Sequence, residues 1–407
     1  MFFSKSYFLI NLLNREHKFL RYPLAGLAWM GGLICTGNPF IASNLGAGVL
    51  KGEVKKSIRR AGWIARNSWL RTSIVNDPFF LFSEGLGHKD LRHYDEWLSR
   101  REPKLTAAEY ASNRLIILAQ RIHLLIEDYN NQSFEESNQH PAWPLIIEFE
   151  KLKITVLELP IDNAIKNPNK GSGGARRGDF SKDDARQALA DLVSLVPLQE
   201  FRWYIISGTF LGLHRDGGFM PHDYDIDIGI NAENLSVEKL LKRLSHQATL
   251  RVAKLDYHLE VVRQGRSFLL LRKPILVKLV HKNGINIDIF IHYLDGEIRW
   301  HGSSVYRWDN IEFGLVRGVL EGIPVLQPDQ ADRYLTENYG DWRIPVTDFN
   351  CSSGTPNLAI CHNFLSHALF VKKYLLLQGA GGDEEKVLKQ KLLSSQPVRS
   401  GMLYENE

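Results

Sequence analysis

Three observations predict a chain in two parts, a mainly α-helical N-terminal half and an α/β (α+β) C-terminal half. Apolar residues recur at helical spacing before about residue 160, whereas short apolar runs suited to strands prevail after about residue 200. Between them Asn167 to Asp184 reads NPNKGSGGARRGDFSKDD, with almost nothing apolar. Finally, Asp223, Asp225 and Asp227 occupy every second position of a run that also carries Ile226, Ile228 and Ile230, the pattern of a half-buried strand with an acidic face.

Composition sets the limits. The chain of 407 residues is long enough for two or three domains, and 44% hydrophobic with 24% charged residues is the balance of a soluble globular protein. A net charge of +4 is small for that length, so no nucleic-acid partner is expected. Cys35, Cys351 and Cys361 are odd in number and show neither a disulfide framework nor zinc spacing, and a reducing cytoplasm is the simplest compartment. The first residues, MFFSKSYFLINLLNREHK, have only a brief apolar stretch, broken by asparagines, and lack a small-residue cleavage site, unlike a secretory signal.

In the N-terminal half, residues 1–165, Tyr22 to Thr36 is apolar but short and glycine-rich for a membrane span, which needs about 20 residues. Residues 51–71 interleave Lys51, Lys55, Lys56, Arg59, Arg60, Arg66 and Arg71 with Trp63, Trp69 and aliphatic residues. Two readings stand for this helix: contact with an anionic membrane surface, or ordinary inward packing of its tryptophans. The membrane reading puts the protein in the cytoplasm, peripheral at the inner face of the plasma membrane. Thr106 and Glu109 form a capping-box pattern ahead of Leu115, Leu118, Ile122 and Leu125, which predicts a helix over 106–128. Further helices are expected near 49–70, 90–101 and 142–158, the last limited by Pro141 and Pro144.

The stretch 166–184 reads as a flexible linker, because so polar a segment buries too little surface to offset its ordering entropy. No strand precedes it, as a phosphate-binding glycine loop would require. The second domain, 185–380, opens with a helix over 183–198, a strand over 203–206, a short helix over 209–214 and a strand over 225–230. A helix over 236–247 follows, then strands over 257–262, 268–272, 275–281, 285–292 and 297–300, with turns at Asn283-Gly284 and Asp295-Gly296. Helices over 328–339 and 362–377 precede a C-terminal helix and tail, 381–407.

On an extended strand Asp223, Asp225 and Asp227 share a face, roughly 6 to 7 Å from one to the next, while Tyr224, Ile226 and Ile228 take the other. Carboxylates so placed repel unless a cation lies among them, and hard oxygen ligands favour Mg²⁺ or Mn²⁺. Asp288, a lone acid in the apolar run Asn286-Ile287-Asp288-Ile289-Phe290, is costly to bury without a partner and is the candidate fourth ligand, or a base. Ser207-Gly208-Thr209 falls between a predicted strand and helix, where free N–H groups and the helix dipole attract an anion. Arg215, six residues on, can reach the same phosphates or pair with Asp216 or the strand acids. Metal ligands are therefore expected at Asp223, Asp225, Asp227 and Asp288, and phosphate contacts at Ser207, Gly208, Thr209 and Arg215.

These residues resemble a known family, the LicD and fukutin group of nucleotidyltransferase-fold transferases. Its motif G-T-L-L-G-x-x-R-x-G-G-F-I-P-W-D-D-D-I-D-I is similar to Gly208-Thr209-Phe210-Leu211-Gly212, Arg215, Gly217-Gly218-Phe219-Met220-Pro221 and Asp223 to Ile228. Ile287-Asp288-Ile289-Phe290, and the stretch from Tyr339-Gly340-Asp341-Trp342 to Pro356-Asn357, resemble its downstream landmarks. The resemblance covers about residues 200–360. His222 stands where the family has Trp, and Tyr224 replaces a middle Asp. What the resemblance implies is a nucleotidyltransferase-fold catalytic domain, a mixed sheet flanked by helices. It also implies transfer of phosphocholine, ribitol phosphate or a similar phospho-polyol from a CDP-activated donor to a sugar hydroxyl of a surface polysaccharide or glycolipid, with release of CMP. Asp225, Asp227 and Asp288 are then the catalytic residues, and a glycan or lipid-linked glycan is the acceptor. Two rivals stand beside this: a nucleotidyltransferase acting on a small molecule, and a non-catalytic nucleotide-binding assembly module, from which loss of the strand acids would be expected. Arg272, Lys273, Lys278 and His281 suit either donor phosphate or a solvated strand face. Tyr339, Trp342 and Arg343 suit either stacking on substrate or packing, and His292 reads as structural.

Overall fold

The computed structural model describes residues 25–27, 29–30, 88–101, 105–130, 140–159, 181–346 except 222, 224 and 246, 351, 355–377 and 383–400. The helix expected near 49–70, the basic stretch 51–71, most of 22–36 and the glycine-rich run up to 180 lie outside the described residues, as do His222 and Tyr224. The chain forms two compact units. One comprises Met1–Leu125, Ala142–Pro168 and Val371–Gly381, the other Ile126–Pro141, Asn169–Phe370 and Gly382–Glu407.

The N-terminal region is helical, with α1 (His88–Arg101), α2 (Ala107–Asp128) and α3 (Trp143–Leu157). The capping box forms reciprocally: the Glu109 N–H donates to the Thr106 hydroxyl at 3.1 Å and the Thr106 N–H to the Glu109 carboxylate at 3.0 Å. Leu115, Leu118 and Ile122 are buried as their spacing predicts. Pro144 falls in the first turn of α3, where an amide hydrogen has no intrahelical acceptor, so it starts the helix rather than breaking it. Asp95 of α1 pairs with Arg114 and Arg121 of α2, and Arg114 also reaches Glu148 of α3 at 2.6 Å. Among the described residues no helix is long and apolar enough to cross a membrane.

In the second unit α4 (Lys182–Leu195) opens at Ser181, whose side chain accepts from the Asp184 N–H, so the helix begins within the last residues of the polar stretch. A short α5 (Leu198–Phe201) leads to β1 (Tyr204–Ile205), α6 (Ser207–Asp216), β2 (Asp225–Asn231) and α7 (Val237–Leu244). There follow β3 (Leu250–Gln264), β4 (Ser267–His281), β5 (Asn286–Asp295), β6 (Ile298–Gly302), β7 (Tyr306–Ile311), β8 (Leu315–Leu320) and β9 (Ile323–Pro328). The chain continues through α8 (Ala331–Tyr339), β10 (Leu358–Ile360), α9 (Phe364–Leu377), α10 (Asp383–Ser394) and β11 (Arg399–Ser400). The sheet is mixed and curled, and helices flank it.

Its path runs β10-β7-β6-β5-β4-β3-β11, with β2 parallel to β5 and β1 antiparallel to β2. The first half of β5 thus lies between β2 and β4, while its last residues turn to pair with β6. The expected turns appear at Gly284 and Gly296, both at positive φ. The runs expected as separate strands over 268–272 and 275–281 are one strand. Pro274 sits opposite Tyr257 at a register shift in β3, where a missing N–H costs no ladder bond. Strands β7 to β11 were not expected. The main core packs α4, α6 and α8 against the apolar faces of β1, β2 and β5, through Leu189, Leu192, Phe210, Tyr334, Ile226, Ile228, Ile287 and Ile289.

Candidate active site

The parallel pairing of β2 with β5 places Asp227 directly beside Asp288, and Asp225 beside Asn286. Ile226, Ile228, Ile287 and Ile289 are fully buried on the core side, which fixes the strand faces and leaves the acids to share the other. Oxygen atoms of Asp225, Asp227 and Asp288 all lie within 4.8 Å of one another. Asp225 and Asp288 are 8% and 5% exposed, so the cluster is largely withdrawn from water.

Such a cluster is electrostatically costly. Burial raises the Asp227 carboxyl well above its ordinary range, and the charges of Asp225, Asp223 and Asp288 raise it further, opposed by a hydrogen bond from the Gly208 backbone. Burial likewise raises Asp288, opposed by the Lys278 ammonium, which hydrogen bonds to it. Three convergent hard oxygen donors of like charge fit a divalent cation of the Mg²⁺ or Mn²⁺ type. Asp223 is outside this close group but near it. One of its oxygens lies 3.0 Å from where a Cβ on Gly208 would sit.

The turn into α6 meets the same acids. Ser207 adopts a left-handed φ of 49°, a strained conformation for a side-chain-bearing residue, and Ile206 before it is extended with no side-chain cap. Of the four residues expected to contact phosphate, Ser207 and Gly208 stay on this turn beside Asp227 and Asp223. Thr209 is buried, and its hydroxyl accepts from the Asp227 N–H at 2.9 Å, tying α6 to β2. Arg215 pairs with Asp216 at 3.0 Å, one of the partners expected for it, and donates to the Met220 sulfur.

The glycines of this run answer to close approaches. A Cβ on Gly212 would come within 2.6 Å of the Gly218 carbonyl, so helix α6 could not pack on its own return segment. Gly217 ends the helix at φ 76°. Gly218 faces Glu321 at the tip of the β8–β9 hairpin, whose carboxylate accepts from the Phe219 N–H at 3.2 Å.

Residues 200–314 match the family described as LicD/FKTN/FKRP, nucleotidyltransferase domain. This segment is similar to a LicD/fukutin-type domain. Similar curated proteins are the ribitol-5-phosphate transferase FKTN of Mus musculus, 26% identical over 165 residues, and those of Macaca fascicularis and Homo sapiens, 24% and 23% identical over the same length. Each alignment covers 38% of this chain and 32% of the relative, so the chain spans about a third of the length of the curated relatives it matches.

The remaining candidates separate cleanly. Lys278 alone among the four strand cations reaches the acid cluster. Arg272 pairs with Glu127, Lys273 with Glu260 and His281 with Asp191. Lys278 stands opposite Asp288 because the turn takes three residues, 282–284, with the His281 N–H donating to the Ile285 carbonyl; a two-residue turn at Asn283-Gly284 would have set it opposite Ile289. Tyr339 also faces the cluster. Burial first, then the Asp227 charge, raises its phenol well above the usual range. Trp342 packs into the core and donates to Asp332, with the Arg343 guanidinium over its ring, which is the packing alternative. His292 is fully buried between the Tyr204 and His301 rings and burial drives its pKa well below normal, as suits a structural histidine.

Proposed function

We propose that the protein is a metal-dependent transferase that moves a phospho-polyol or related phospho-group from a CDP-activated donor to a sugar hydroxyl, releasing CMP. The observation that carries this reading is the convergence of Asp225, Asp227 and Asp288 beside the open turn at Ser207-Gly208. The relatives' printed activity, ribitol-5-phosphate transfer, supports the class. Asp225, Asp227 and Asp288, with Asp223 adjoining, would hold Mg²⁺ or Mn²⁺, which when bound neutralises a diphosphate and stabilises its leaving phosphate.

The chain's own groups supply the rest. The N-terminal end of α6 turns its positive pole toward the donor phosphates, and Ser207 adds a hydroxyl. The acceptor oxygen attacks the phosphorus that carries the polyol, and the bond from that phosphorus to the bridging oxygen breaks. CMP departs with the electron pair. The hydroxyl proton passes to a carboxylate at the sheet edge, for which Asp288 is placed unless it serves only as ligand. A glycan or lipid-linked glycan is the proposed acceptor, and the basic, tryptophan-bearing stretch 51–71 favours one at the cytoplasmic membrane surface.

Incubation with Mg²⁺ and a panel of CDP-linked polyols and CDP-choline, with and without glycan acceptors, tests the reading by CMP release. Acceptor-dependent release is expected, and it should vanish in Asp225→Asn and Asp227→Asn while circular dichroism stays that of the wild type. Turnover near the wild-type rate in either variant would remove the metal assignment.

A further inference from the structure

Lys278 belongs to a row of four charged residues running straight across the sheet. Register sets Lys254 opposite Lys278, Lys278 opposite Asp288, and Asp288 beside Asp227. Two cations and two anions therefore lie in line on β3, β4, β5 and β2. Like charges directly opposite each other weaken a strand pair, so the pairing of β3 with β4 gives no reason for a lysine at 278. Asp256 takes the Lys254 ammonium at 2.5 Å, while Lys278 turns the other way, to Asp288. The Lys278 side chain is 40% exposed and that of Asp288 8%, so the ammonium reaches in from the solvent side to a buried carboxylate.

Asp288 is thereby asked to do two things. An oxygen of Asp288 is close enough to Asp225 and Asp227 to share a divalent cation with them, yet its Oδ2 is already held by Lys278. A divalent ion entering the trio meets an ammonium in contact with one of its ligands. That ammonium rides on a flexible four-carbon stem and can swing away. We propose that Lys278 is an exchangeable counterion of the acid trio, neutralising Asp288 when no metal is bound and moving onto the donor diphosphate when metal and donor enter. The proposal rests on the metal- and diphosphate-binding reading above. It makes Lys278 a positioning residue for the metal and a direct contact for the donor.

The two roles predict opposite signs for one substitution. Metal-free protein, full-length, is titrated with Mn²⁺ alone and followed by the electron paramagnetic resonance of free Mn²⁺. Lys278→Met should bind Mn²⁺ roughly three- to tenfold more tightly than wild type, the size expected for removing one partly exposed neighbouring charge. With Mn²⁺ saturating, inorganic pyrophosphate should bind more weakly by a similar factor, and Lys278→Arg should restore part of that binding. Lys278→Gln is measured alongside in case the methionine variant does not fold. Mn²⁺ affinity unchanged or lowered in folded Lys278→Met or Lys278→Gln overturns the counterion role. Asp225→Asn separates the two levels of failure. If it binds Mn²⁺ as the wild type does, the metal reading falls and the counterion role with it. If it loses Mn²⁺ while the Lys278 variants match wild type, only the counterion role falls.

Discussion

The Thr209 hydroxyl shows how a motif residue can brace the strand that carries the acids. It is buried, and it accepts the amide hydrogen of Asp227, a group that the first strand turn after α6 would otherwise leave without a ladder partner on that side. Asp227 is held again from its other end, since its carbonyl accepts from the Ile206 N–H at 3.1 Å. Thr209→Val keeps the shape and removes the acceptor, so it leaves a buried N–H unmade at a cost of about 1 to 3 kcal/mol. Thermal unfolding should show that loss. CMP release should fall as well, because the strand that carries Asp225 and Asp227 loses its brace. Full activity with lowered stability would show that the brace serves the fold alone.

At the scale of elements, the β8–β9 hairpin and helix α6 hold the same glycine-rich return. Glu321 adopts a left-handed φ of 49°; its carboxylate accepts from the Phe219 N–H and its carbonyl accepts from Arg186 of α4. Gly218→Ala should displace that flexible carboxylate and cost about 1 kcal/mol, the worth of the hydrogen bond. Glu321→Ala should cost the same, and the double variant no more than either, a non-additivity that a double-mutant cycle measures. Gly212→Ala meets backbone instead of a flexible side chain and should cost more, about 1 to 3 kcal/mol. These elements also show why the acid strand was legible and the hairpin was not. β2 and β5 place isoleucine at every second position, 226 to 230 and 287 to 291, a period that only a strand satisfies. β8 and β9 carry Gly318, Pro324 and Pro328, which read as punctuation. In the fold Gly318 makes room for the Gln327 side chain, 3.0 Å from a Cβ there, and the prolines sit in a two-stranded hairpin with free edges. Lys278 was named in the sequence as a phosphate or surface cation, but its pairing with Asp288 was not legible, because a two-residue turn at Asn283-Gly284 would set it opposite Ile289 and the turn takes three residues instead.

At the scale of the whole molecule, the sheet that carries the site is built around histidines kept neutral. His258, His292 and His301 are 4%, 0% and 4% exposed. Burial lowers His258 to about 4 and His301 to about 3, and it drives His292 well below its ordinary value. All three contribute stability that is fully present above the unfolded-state value near 6.5. As pH falls below that, the unfolded chain takes up protons the folded chain refuses, so stability declines by roughly 1.4 kcal/mol per pH unit for each histidine until its folded value is reached. Glu260 extends the decline. Its burial would raise its pKa, but Lys273 and Arg399 outweigh that and hold it at about 2, so its contribution disappears as pH falls from the ordinary glutamate range toward 2. Each of these histidines should therefore add about one proton to the uptake on unfolding between about pH 6.5 and 4, His140 adding in the same direction and the raised carboxyls of Asp227 and Asp288 opposing it, and denaturant titration across that range measures the slope. His301→Phe tests the assignment, because a phenyl ring can keep the contacts with Phe290 and Trp308 while binding no proton. It should flatten the slope by one proton over that range. An unchanged slope would place the acid sensitivity elsewhere in the sheet.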